Sequence, residues 1–135
     1  MTQDKELLLK DLCARLPYNP LVEYKGESYN VLGIAHGRLV LCKPFMSYTL
    51  KENPLVEEVK TYLFPLSSMT DEQRQEYTYI VNYISPDDTD NWKEGEFIYV
   101  EQFTQLMHFY HKNHLDYRGL ITMGLATDAT GLNIY

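Results

Sequence analysis

Cysteine is nearly absent from this chain of 135 residues, which holds only Cys13 and Cys42. Two thiols exclude a disulfide-stapled scaffold, and their lack of paired spacing excludes a cysteine-built zinc site. They read as two small buried hydrophobes, with a Cys13–Cys42 bridge as the other option. Long apolar runs are missing as well. No window approaches the roughly 18 apolar residues of a membrane span, and the charged start, Thr2 to Glu6, offers no signal-peptide core. The expectation is a cytoplasmic protein with no membrane partner. Positive charge is in deficit, with 12 Lys and Arg against 19 Asp and Glu, a net −7. With its basic residues scattered, such a chain is a poor direct binder of nucleic acid. No Gly-x-Ser-x-Gly, Walker lysine loop or Gly-x-Gly-x-x-Gly occurs, so no common nucleophile or phosphate motif points to catalysis.

What is present has ordinary globular proportions: 44% hydrophobic and 23% charged residues. The length suits a single domain over 1–135, and no repeat or linker divides it. Leu8, Leu12 and Leu16 recur every fourth position, predicting a helix over 2–16 with Thr2 as its cap and Pro17 as its stop. With Leu9 and Cys13 they make one apolar face, and Lys10, Asp11 and Ala14 fall outside it. Between 21 and 43 the period drops to two, and glycine turns divide it into a three-stranded antiparallel meander. Residues 56–64 suit a fourth strand or a short helix. Ser68 with Asp71, or Thr70 with Gln73, has capping-box spacing, which opens a helix over 70–84. A strand is expected near 97–100, then a helix over 101–113 with Phe103, Leu106, Met107 and Tyr110 inward. Asp116 is placed to cap a last short helix from 117 to 123, closed by Gly124. The apolar tail 131–135 is expected to dock. Strands and helices are segregated, so the fold class is α+β: a small antiparallel sheet, open or barrel-like, packed by N- and C-terminal helices.

The chemical candidates are few. His108, His111 and His114 lie three apart, with Asp116 behind them, and imidazole with carboxylate suits zinc or iron. Relative to Phe103, a helical wheel puts His114 at about 20°, His111 at about 80° and His108 at about 140°. His114 then packs inward, and only His108 and His111 are neighbours. A metal-dependent enzyme built on His108, His111 and Asp116 is the alternative reading; otherwise no cofactor is expected. His36 sits in a His-Gly turn and needs no further role. The acidic stretch 87–96 fails the calcium-loop pattern, because Trp92 and Lys93 occupy places that need a short ligand and Gly. The chain holds 12 tyrosines. Tyr79 and Tyr83 fall outside the apolar face of their helix and, with Trp92, are the candidate binding aromatics. The competing reading lays the tyrosines flat across a small sheet.

Three stretches carry a resemblance: Leu8 to Tyr18, Leu63 to Thr70, and His114 to Ile121. In them the chain resembles a group of small proteins of gut anaerobic bacteria and their phages or mobile elements. The group lends no activity and no site residue. What the resemblance implies is a setting, an accessory role in a bacterial or phage-infected cytoplasm. The expected function is a non-catalytic interaction protein whose acidic, tyrosine-bearing surface meets a protein partner. Such a surface suits competition for a basic, nucleic-acid-binding site.

Overall fold

The computed structural model describes residues 2–44, 49–82 and 100–135. Helix α1 (Thr2–Arg15) runs into a single 3-10 turn at Leu16–Tyr18, which Asn19 ends with a left-handed φ of 55°. The Thr2 side chain lies outside the described residues. Three strands follow: β1 (Leu21–Tyr24), β2 (Glu27–Ala35) and β3 (Arg38–Cys42), each antiparallel to the next. Both connections are two residues long, Lys25-Gly26 and His36-Gly37, and all four residues have positive φ. Type I′ turns need that geometry and match the twist of the strands. His36 therefore serves the turn, as expected.

Alternation along the meander decides which face meets α1. Val22, Tyr24, Tyr29, Val31, Leu39 and Leu41 point one way and form one core with Leu8 and Leu12. A bulge between Val31 and Gly33 shifts the register of β2 against β3. Residues 56–64 supply both expected elements: a 3-10 turn at Val56–Glu58, then strand β4 (Lys60–Leu63) antiparallel to β1. A final three-residue strand, β5 (Ala126–Asp128), lies parallel to β4. The sheet order is β3-β2-β1-β4-β5. It stays open and is not a barrel. The chain before β4 returns along the outer edge of β3, where Leu39 N donates to Pro54 O and Leu50 N to Leu41 O. That edge is satisfied without closure.

Helix α2 (Asp71–Asn82) begins with the expected capping box: Gln73 N donates to Thr70 Oγ1 and Thr70 N to Gln73 Oε1. Helix α3 (Val100–Lys112) packs on it through Ile80, Leu106, Phe109 and Tyr110. Its buried face differs from the expected stripe. Phe103 is 54% exposed, while Gln102 is buried and donates to Ile80 O. The expected strand near 97–100 falls mostly outside the described residues, and its last residue, Val100, opens α3. After α3, Asp116 holds the following turns, its two oxygens accepting from Leu120 N and Ile121 N. The expected helix over 117–123 does not form: these residues make consecutive turns, and Gly119 at a φ of 76° departs from helical geometry. Gly124 N donates to Ile121 O and Leu125 N to Leu120 O, a Schellman closure with Gly124 at φ 78°. The tail docks: Ala129 is fully buried, and Ile134 packs against Leu21 and Tyr62. No helix among the described residues is long and apolar enough to cross a membrane.

Leu12 is 1% exposed at the centre of the α1–sheet core. Leu12→Ala should cost about 2–5 kcal/mol through lost burial and the cavity left behind. Urea unfolding measures this, and a loss under about 1 kcal/mol would place that face outside the core.

Candidate partner-binding groove

The groove is built over a buried ionic cluster. Arg15 is fully buried; its Nε donates to Asp11 Oδ2 at 2.8 Å and its Nη2 to Leu115 O at 2.8 Å. The other Asp11 oxygen accepts from Arg118 Nε at 2.9 Å. Sequence reasoning put Asp11 outside the apolar face, yet it is 1% exposed. The Asp11-x-x-x-Arg15 spacing was the available signal, since a neutralising partner one turn away makes burial tolerable. Both guanidinium groups also lie over the Tyr117 ring, at 5.3 Å for Arg15 and 5.0 Å for Arg118. One carboxylate faces two guanidinium groups, so this cluster carries a surplus positive charge.

That surplus reaches α3. His111 is buried, and its Nε2 is 2.8 Å from the Tyr117 hydroxyl, which also accepts from Arg118 Nη2. Burial first, then the charge of Arg15, push its pKa below the usual histidine value. A neutral ring results. One turn back, exposed His108 has Nδ1 2.7 Å from the Tyr18 hydroxyl. The Tyr18 ring contacts both imidazoles, with centroids at 5.4 Å for His108 and 5.6 Å for His111.

Above these rings lies a groove of about 780 Å³ between the end of α1, α2 and α3. Pro17 and Tyr18 form one wall, and Ile80, Met107 and His108 line it further. Tyr79 and Phe103 stand at its lip, 64% and 54% exposed. At one end Lys112 Nζ meets Glu76 Oε1 at 2.7 Å. The lining is mainly apolar, with a few polar groups converging from α3.

The structure brings some of the expected residues together and separates others. Tyr79, His108 and His111 share the groove. Tyr83 and Trp92 lie outside the described residues. Asp116 does not join the histidines, because both its oxygens hold backbone N–H groups. His114 leaves the helix at φ 54° and stacks on Tyr135 instead. Among the described residues, no group of three or more His, Cys, Asp or Glu is set to hold a metal ion. Neither cysteine is in a disulfide; Cys42 is buried as expected, whereas Cys13 is exposed. Sequence reasoning missed Phe103 as a surface aromatic and Tyr18 as the partner of His108. Four of the nine described tyrosines, Tyr24, Tyr29, Tyr62 and Tyr110, are buried.

Asp11→Ala should cost about 3–5 kcal/mol, because it strands a buried guanidinium. Replacing the pair with Leu at 11 and Met at 15 should recover most of that loss, since Arg118 still reaches water. Chemical denaturation of both variants checks the difference. For the histidines, added zinc should leave the melting temperature unchanged, because each ring already has a tyrosine partner and Asp116 is engaged elsewhere. A zinc-dependent rise that His111→Ala abolishes would restore the metal-enzyme reading. The chain matches no family model, no curated protein and no solved structure.

Proposed function

We propose that this is a non-catalytic interaction protein that takes an apolar segment of a protein partner, flanked by basic residues, into the groove. The observation that carries the reading is the exposed aromatic lip, Tyr79 and Phe103, over an apolar groove of about 780 Å³. Large aromatics that a partner covers and desolvates supply much of the binding energy in protein interfaces, and Tyr79 and Phe103 have the exposed area to be covered in this way. The net charge of −7 favours a partner of opposite sign, by steering encounters and excluding acidic competitors. A basic partner that itself binds nucleic acid is the kind such a surface would block. A cytoplasmic, mobile-element-borne accessory protein fits this role and the resemblance at both ends of the chain.

A photo-crosslinking residue at position 103, in cells that make the protein, should capture a partner through an apolar segment rich in Lys or Arg. The same residue at position 132 should not. A synthetic peptide of the captured segment should bind the purified protein and lose about tenfold or more in affinity on Tyr79→Ala, with little change in melting temperature. Equal capture at both positions, or an acidic segment, would overturn the reading.

A further inference from the structure

The tail crosses the sheet face opposite α1. Ile134 packs on Leu21 and Tyr62, and Leu21 alternates with Val22, which faces the helix. The Tyr135 hydroxyl then joins two strands, accepting from Leu21 N of β1 at 2.9 Å and donating to Tyr62 O of β4 at 3.0 Å. Its ring lies on the His114 imidazole with centroids 3.5 Å apart and planes 12° from parallel. Phe64 borders the same ring at 5.9 Å. Tyr135 nevertheless stays 42% exposed, so its anchorage is the hydroxyl and the stack more than deep burial.

His114 is the weak point of that anchorage. It is fixed by a left-handed turn, and its carbonyl accepts from Phe64 N at 2.8 Å. Its Nδ1 is buried and has no hydrogen-bond partner. A neutral imidazole tolerates this as a lone pair. A protonated one places an N–H and a charge there with nothing to receive them. The groups around it make matters worse. From α1 comes the guanidinium of Arg15, and from the tail the Tyr135 ring itself. Asp116, two residues on, has both oxygens bound by backbone N–H groups.

We propose that residues 129–135 form an acid-released strap, in which protonation of His114 expels the Tyr135 ring and uncovers an apolar cradle of Leu21, Tyr62 and Phe64. The uncovered cradle runs into a neighbouring cleft of about 440 Å³ that Leu21, Leu32 and Tyr135 already line. Burial, then the charge of Arg15, hold His114 at a pKa of about 4. A ring freed from Tyr135 gains water, and its value moves back up towards about 6.5 while Arg15 stays in place. Because the docked value is the lower one, docking keeps its full stability above about pH 6.5. That stability is lost progressively as pH falls towards 4, and no further below it.

The Leu21 amide reports the strap directly, since Tyr135 is its acceptor. Its hydrogen-exchange protection, corrected for intrinsic rates, should fall by about a hundredfold or more between about pH 7 and about pH 4. Amides paired within β1, β2 and β3 should stay protected over the same range. His114→Phe keeps a ring for the stack and should hold Leu21 protected throughout. In the unaltered protein, the His114 ring signal should titrate between about 4 and about 6.5 by NMR, with the same midpoint as the loss of Leu21 protection. Any one of three results would overturn the proposal: Leu21 protection independent of pH, the same loss in His114→Phe, or a His114 ring that titrates near 6.5 while Tyr135 stays docked.

Discussion

One buried charge orders much of this molecule. Arg15 is fully buried, and a guanidinium in that position must be paired or the fold fails. Its pairing fixes three segments at once. Asp11 comes from its own helix, the Leu115 carbonyl from the turn after α3, and the Tyr117 ring from the residues beyond. Arg118 then closes on the free oxygen of Asp11. The first helix and the residues after α3 are locked together through this one side chain, and the surplus positive charge reaches water only through Arg118. Two histidines feel it. His111 and His114 both bear a lowered pKa in which burial comes first and Arg15 second. The floor of the groove and the anchor of the tail are thus neutral for the same reason.

Helix α1 changes role along its length to make this possible. Leu8 and Leu12 belong to the sheet core, Arg15 to the ionic cluster, and Pro17 and Tyr18, just beyond the helix, to the groove wall. A helix stripe repeating every third or fourth residue permits this, since positions 8, 12 and 15 share one face. Tyr18 then spans to α3 and orients His108 with its hydroxyl. The groove is a by-product of how the first helix terminates.

The meander was legible because its alternation and its two glycine turns are local signals. So was the start of α2, although Ser68 competed with Thr70 as its cap; Asp116 holds backbone N–H groups, but of turns and not of the expected helix. The sheet order was not. Strand β5 has three residues, too few for a period, and its parallel pairing with β4 depends on where the turn at Gly124 sends the chain. The inner face of α3 was misjudged for a definite reason. A wheel that weighs only hydrophobicity puts Phe103 inside, whereas Gln102 is buried at the cost of one hydrogen bond to Ile80 O. The same weighting put Asp11 outside. At the groove, Tyr79, His108 and His111 stood out singly, but the contact between Tyr18 and His108 crosses most of the chain and has no local trace.

Tyrosine and acid are coupled in this fold in opposite senses on its two sides. At the meander turn, Tyr24 and Lys25 both bond Glu52, while Tyr29 and Lys43 both bond Glu27. Those carboxylates are drawn below their usual range, Glu52 by the Tyr24 hydrogen bond and Glu27 by that of Lys43. Both stay charged to a lower pH than an ordinary carboxylate, and Glu52 ties the chain before β4 to Tyr24 and Lys25. At the tail, Tyr135 rests on a buried histidine whose protonation the fold resists, through burial first and the Arg15 charge second. Mild acid therefore bears on one attachment and spares the other, because a lowered carboxylate pKa extends an ionic contact downward in pH. A lowered histidine pKa marks a ring that the fold holds neutral against its own tendency.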